Sequence, residues 1–163
     1  MSFLFDASAL TKRYVAEAGT PLVHRVFRSV PHGRLSCILQ GAGEVISVLV
    51  RRRNAGDLTQ QRFDEAMADL RREVTNSLEF ERIEVDAQQV IESWALIEQH
   101  SINSTDALVL RVALDRAEEL RENGDDLVLV ASDERLVRAA AEEGLKTFNP
   151  ETDSQSKLES LMA

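Results

Sequence analysis

The chain has 163 residues, with 19 Lys plus Arg, 28 Asp plus Glu and a hydrophobic fraction of 44%, the profile of one compact soluble domain that needs no cross-links. A single cysteine, Cys37, excludes an internal disulfide and a zinc site built from cysteines. Arg and Glu interrupt every apolar run short of the roughly 18 residues of a membrane span, and MSFLFDASAL lacks a basic flank, so neither an anchor nor a leader is expected and the address is cytoplasmic.

The net charge of −9 argues against a polyanionic partner, but it is unevenly spread. Residues 1–56 carry eight Lys or Arg against three acids, a net of +5, which leaves −14 for the remainder. Such asymmetry suits a basic face on an acidic protein.

Along the chain, Ser2, Phe3, Leu4 and Phe5 read as a strand stopped by Asp6, and residues 8–18 have helical spacing through Leu10, Tyr14 and Val15 up to a stop at Gly19. Thr20 and Pro21 open a second helix to about Val30, and the Pro31-His32-Gly33 turn leads into the strand LSCIL. Glu44 begins a third helix with Val45, Val48 and Leu49 on one face and Arg51, Arg52 and Arg53 in its last turn, ended by Gly56. Residues 58–76 are amphipathic through Phe63, Met67, Leu70 and Val74; FERIEV alternates as a half-exposed strand; and Asp86 caps a helix carrying Val90, Ile91, Trp94 and Ile97. Trp94 and Phe63 are expected in the core.

Ser104 or Thr105 is placed to cap the widely apolar helix DALVLRVAL, LVLVA reads as a buried parallel strand, and Ser132 with Asp133 starts a helix that ends at Gly144. LKTF is the last strand. The expected organisation is one domain over residues 1–150 followed by a polar tail over 151–163, folded as a three-layer α/β/α sandwich around a mainly parallel sheet.

Ligands of such sheets lie outside the carboxyl ends of the strands. Asp6 and Asp133 follow two strands there, and Glu44 and Asp106 fall near helix starts that face the same edge. Each has a structural alternative as a cap or a partner of the helix dipole. Together they form a cluster that repulsion of about 4 kcal/mol per close pair cannot leave ionised and unpaired. With no His or Cys among them, hard oxygen donors favour Mg²⁺ or Mn²⁺.

Four segments carry a family resemblance. FDASALTKRY with Asp6 and Ser8, GAGEVISVLVRR with Glu44, STDALVLRVAL with Asp106, and VLVASDERLVRAAAEEGLKTFNP with Asp133 resemble, in order, the motifs of the PIN-domain family of nucleases, in particular its VapC-type toxins. Arg111 departs from the family's usual small residue. The resemblance implies a PIN-like fold, a Mg²⁺- or Mn²⁺-dependent endoribonuclease acting on RNA through Asp6, Glu44, Asp106 and Asp133, homodimerisation, and inhibition by a small antitoxin protein.

Ser8, Thr105 and Ser132 are candidates to order water or ligands around the metal. Arg13 and the arginine run at 51–53 are the candidate RNA contacts, although such a run is as often a solvated helix end. His24, His32 and His100 have no triad-like company. Competing functions are a PIN-like binding module without catalysis, which only metal dependence would separate, and a phosphoacceptor domain, which the lack of an acid beside Asp6 and of a late loop lysine disfavours. An Asp-x-Asp phosphatase fails because Ser8 stands where the second acid is needed.

Overall fold

A computed structural model describes all 163 residues. Five parallel strands, β1 (Ser2–Phe5), β2 (Leu35–Ile38), β3 (Glu81–Ile83), β4 (Leu127–Val130) and β5 (Lys146–Phe148), lie in the order β3-β2-β1-β4-β5. The chain therefore starts at the centre, builds outward through β2 and β3, then returns to add β4 and β5 on the other side. The direction reverses beside β1, the kind of crevice where open α/β sheets bind ligands. Ser2 to Phe5 pair residue by residue with Leu127 to Val130, which brings the two strand ends level.

Alternation along the strands divides the core. Phe3 and Phe5 with Val128 and Val130 face α1 (Ala7–Leu10), α2 (Thr20–Ser29), α3 (Leu39–Asn54) and α4 (Gln60–Leu70), whereas Leu4, Leu127 and Leu129 face α5 (Ala87–His100), α6 (Ser104–Glu122) and α7 (Glu134–Glu142). This is the expected three-layer α/β/α sandwich. No helix is long and apolar enough to cross a membrane.

Several boundaries differ from expectation for local reasons. The first helix gives way to a 3-10 turn, Thr11–Arg13, because residues 14–19 fold against Pro150: Gly19 has φ +85°, and a Cβ there would stand 2.6 Å from the Pro150 carbonyl oxygen. The third helix runs through Gly41 and Gly43, poor helix formers that made Glu44 look like its start. Asp86 caps α5 as expected, with Gln89 returning the bond. The segment read as a polar tail holds α8 (Gln155–Met162), capped by Ser154 and anchored by fully buried Leu158.

Trp94 is not in the core. It is 55% exposed, with Ile91 and Val90 also at the surface, since the face of α5 that packs inward carries Ser93, Leu96 and His100 instead. That helix has two apolar stripes, and spacing alone does not select between them. Phe63 is half-buried beneath the Arg53 guanidinium, 4.4 Å from the ring centre. Arg111 turns to Asp115, one helical turn on.

Candidate metal centre

Asp6, Glu44, Asp106 and Asp133 all line one open cleft of about 820 Å³ at the carboxyl edge of the sheet. The sheet register explains the first and last. The Asp6 N–H donates to the Val130 carbonyl at 2.9 Å, so Asp6 leaves β1 just where β4 gives way to Ser132 and Asp133. Ser8 ties the two exits: its hydroxyl and N–H both reach Asp6 Oδ2, the latter at 2.9 Å, while its Oγ accepts from the Ser132 N–H at 3.0 Å.

Glu44 sits in the second turn of α3, beyond any capping role, and its carboxylate has no hydrogen-bond or ion-pair partner in the protein. Burial, and then the charge of Asp6, push its pKa above the ordinary glutamate value. Asp106 is 8% exposed in the first turn of α6. The helix is capped by Asn103, not by Ser104 or Thr105: Asn103 Oδ1 accepts from the Asp106 N–H and Asn103 Nδ2 donates to Asp106 Oδ2, each at 2.8 Å. Burial first, then Asp6 and Asp133, raise the Asp106 pKa to about 6, with Arg135 opposing and Glu44 adding a smaller push.

Asp133 differs from its three companions because it is itself the cap of α7. Its Oδ1 accepts from the N–H groups of Arg135 at 2.8 Å and Leu136 at 3.3 Å, and Ser132 takes no part in the cap. Its other oxygen stands 3.7 Å from the Arg135 guanidinium. The Ser132 hydroxyl, also lining the cleft, is buried without a hydrogen-bond partner.

The donor set fits a hard divalent cation: oxygen ligands, mutual repulsion among acids in a partly dry cleft, and an orphaned hydroxyl beside them. No three acids close into a ready-made cage.

Sequence reasoning singled out Arg51 and Arg52 but missed Lys12, Glu17 and Glu151 and the pairing among these charges of the cleft. Lys12, only 2% exposed, is gripped by Glu17 at 2.9 Å and by Glu151, and Arg52 also pairs with Glu17. Arg51 lines the cleft without a carboxylate partner. Arg13, a candidate RNA contact by sequence, is committed elsewhere. Its Nε and Nη2 bind Glu73 at 2.9 and 2.7 Å, and the guanidinium lies 5.1 Å from the Phe27 ring centre. His100 is buried between Glu142 and Glu143 and does not line the cleft.

Three solved structures share the fold. That of PAE2754 from Pyrobaculum aerophilum is 18% identical with a TM-score of 0.62, over 99% of this chain and 94% of its own. That of VapC20 from Mycobacterium tuberculosis, described as a sarcin-ricin loop cleaving toxin, is 19% identical with a TM-score of 0.60, over 85% and 95%. That of FitAcB from Neisseria gonorrhoeae is 14% identical with a TM-score of 0.61, over 91% and 97%. No curated protein matches the sequence. The PIN domain model matches residues 6–142, a span that takes in all four acids, and the chain therefore belongs to the PIN domain family.

Proposed function

We propose that this protein is a metal-dependent endoribonuclease, the toxin of a toxin–antitoxin pair, and that Asp6, Glu44, Asp106 and Asp133 hold Mg²⁺ or Mn²⁺ for hydrolysis of RNA phosphodiester bonds. The observation that carries the reading is the electrostatic coupling of four acids, two of them buried, in one cleft of a PIN domain, with Asp106 raised to about 6. The likeness in fold to VapC20 supports the choice of RNA.

A divalent ion bound there supplies an activated water and neutralises charge on the attacked phosphate. The protein's own part is placement. Asn103 fixes the Asp106 carboxylate, Ser8 fixes Asp6 against the β4 exit, and the capping bonds of Asp133 hold one of its oxygens while the other stands 3.7 Å from the Arg135 guanidinium. Glu44, unbonded in the protein, is the freest of the four to meet a ligand or orient a water. Thr105 and Ser132 supply further hydroxyls along the same wall.

A small antitoxin is the proposed inhibitor and a second copy of the chain the proposed partner in a homodimer. The exposed Val90, Ile91 and Trp94 surface supports an apolar contact of that kind. Incubating purified protein with end-labelled RNA tests the central claim. Cleavage with Mg²⁺ or Mn²⁺ that stops with chelator is expected, and metal-independent cleavage, or none under any ion, overturns it.

A further inference from the structure

The cleft is lined by six carboxylates, Asp6, Glu17, Glu44, Asp106, Asp133 and Glu151, against three cations, Lys12, Arg51 and Arg52. Two of those cations are already occupied. Lys12 is held by Glu17 from the turn after α1 and by Glu151 from beyond β5, and Arg52 by Glu17. We propose that Lys12 and Arg52 are phosphate-binding cations for the RNA strand and that Glu17 and Glu151 are built-in occupants which the strand displaces. This rests on the nuclease reading above.

The placement supports it. Lys12 lies six residues after Asp6, and Arg52 two helical turns after Glu44 with Val48 between them on the same cleft-lining stripe. Eight residues of helix span about 12 Å, so Arg52 stands beside the acids without crowding them, where a neighbouring phosphate of the same strand would pass. Phosphate and carboxylate use the same donors, and the Arg fork can donate to either in bidentate fashion. Exchange leaves Lys12 paired throughout, so its burial never exposes an unpartnered charge.

A purely structural staple is the rival explanation. The two segments are already pressed together where Gly19 meets Pro150, and an apolar pair would hold them at least as well as a buried ion pair. What the ion pairs add is a choice of partner. Masking also leaves Arg51 as the one unpaired cation of a cleft whose acids must first attract a metal, and it disfavours polyanions that bind without the geometry to replace both carboxylates.

Binding of a labelled ten-nucleotide single-stranded RNA, read by anisotropy with Ca²⁺ in place of the catalytic ion, distinguishes mask from staple. Glu17→Gln frees Arg52 yet leaves Lys12 paired with Glu151, so the fold is kept. It is expected to bind RNA roughly three- to fivefold tighter, the release of one partly exposed ion pair, with the gain appearing in KM. Arg52→Gln and Lys12→Met should bind more weakly, and each should flatten the salt dependence by about one unit of slope. A staple predicts losses on both sides. If wild-type protein cleaves and binds RNA but Glu17→Gln binds no tighter, the mask is overturned alone; if wild-type protein neither binds nor cleaves RNA, the nuclease reading falls and takes the mask with it.

Discussion

Asn103 and Asp106 hold each other through two hydrogen bonds of 2.8 Å, one capping α6 and one fixing a carboxylate oxygen of the proposed metal site. The same amide thus starts the helix and aims the acid. Asn103→Ala should lose the cap, about 1 kcal/mol of stability, and in addition lower Mg²⁺ affinity by roughly tenfold or more, the usual effect of removing a residue that orients a ligand. Asn103→Gly, a tolerated cap that costs only a few tenths of a kcal/mol and carries no donor for Oδ2, should recover the melting temperature and not the affinity. Recovery of both would mean that the amide matters only to the helix.

Glu44 gives the cleanest test of the acidic cluster, because it makes no bond within the protein and its charge is disfavoured by burial and by Asp6. Glu44→Ala and Asp106→Ala are each expected to abolish cleavage, and Asp6→Asn to do so while keeping an oxygen for Ser8. Without metal, Glu44→Ala should be at least as stable as the parent, since it removes repulsion and no contact. Full ribonuclease activity in purified Asp106→Ala protein would end the assignment, and a large loss of stability in Glu44→Ala would show a structural role.

The raised pKa of Asp106 fixes the sign of a pH effect. Its carboxyl binds a proton more tightly in the folded protein, at about 6, than in the unfolded chain near 3.8, so its contribution to metal-free stability is greatest below that window and declines as pH rises through it. Comparison with Asp106→Asn isolates the effect: the melting-temperature difference, wild type minus variant, should fall between pH 4 and pH 6.5. Mg²⁺ must displace the same proton, so its affinity should climb by about tenfold per pH unit below 6 and level off above. A Mg²⁺ affinity independent of pH from 5 to 7 would exclude Asp106 as a ligand.

Arg13 and Arg51 should separate where the sequence grouped them. Arg13 neutralises Glu73, which is 9% exposed, so Arg13→Ala should cost roughly 2–3 kcal/mol by leaving a buried carboxylate to Arg72 alone, with little change in RNA affinity. Arg51→Glu, at an unpaired cation on the cleft wall, should barely alter the melting temperature and should weaken RNA binding. Chemical denaturation and anisotropy measured on both variants decide the matter, and the reverse pattern would move the RNA path to the Arg13 side.

These cases show what the sequence made legible. Asp6 and the strand before Asp133 could be placed because strand ends are marked by abrupt changes from apolar runs to polar residues, and parallel pairing then forces the exits together. The cap of α6 was misplaced by one or two residues because Asn103, Ser104 and Thr105 are all good caps and only the backbone decides among them. The long-range partners of Arg13, Lys12 and Arg52 were invisible, since Glu73 lies 60 residues from Arg13, Glu151 139 from Lys12 and Glu17 35 from Arg52 along the chain. Ion pairing across such separations follows from packing that no local pattern encodes, and a count of basic residues therefore overstated the charge available to RNA.

Inhibition by an antitoxin is expected to act at the acids themselves. The cleft lining is negative on balance and its own cations are largely paired, so an incoming Arg or Lys side chain meets carboxylates with no competing partner: Glu44 has none, and Asp106 is held only by its Asn103 neighbour. A guanidinium can span two carboxylates and stand where a metal would, while the net charge of −9 favours approach of a basic segment. Apolar contact would supply the remaining affinity, with α1 and α3, which line the cleft, and α2 as the candidates. In the purified pair, calorimetric Mg²⁺ binding should be much weakened, and Glu44→Gln should loosen the antitoxin because it removes one half of the fork. Mg²⁺ binding unchanged by the antitoxin would place inhibition elsewhere, at the path by which RNA reaches the cleft.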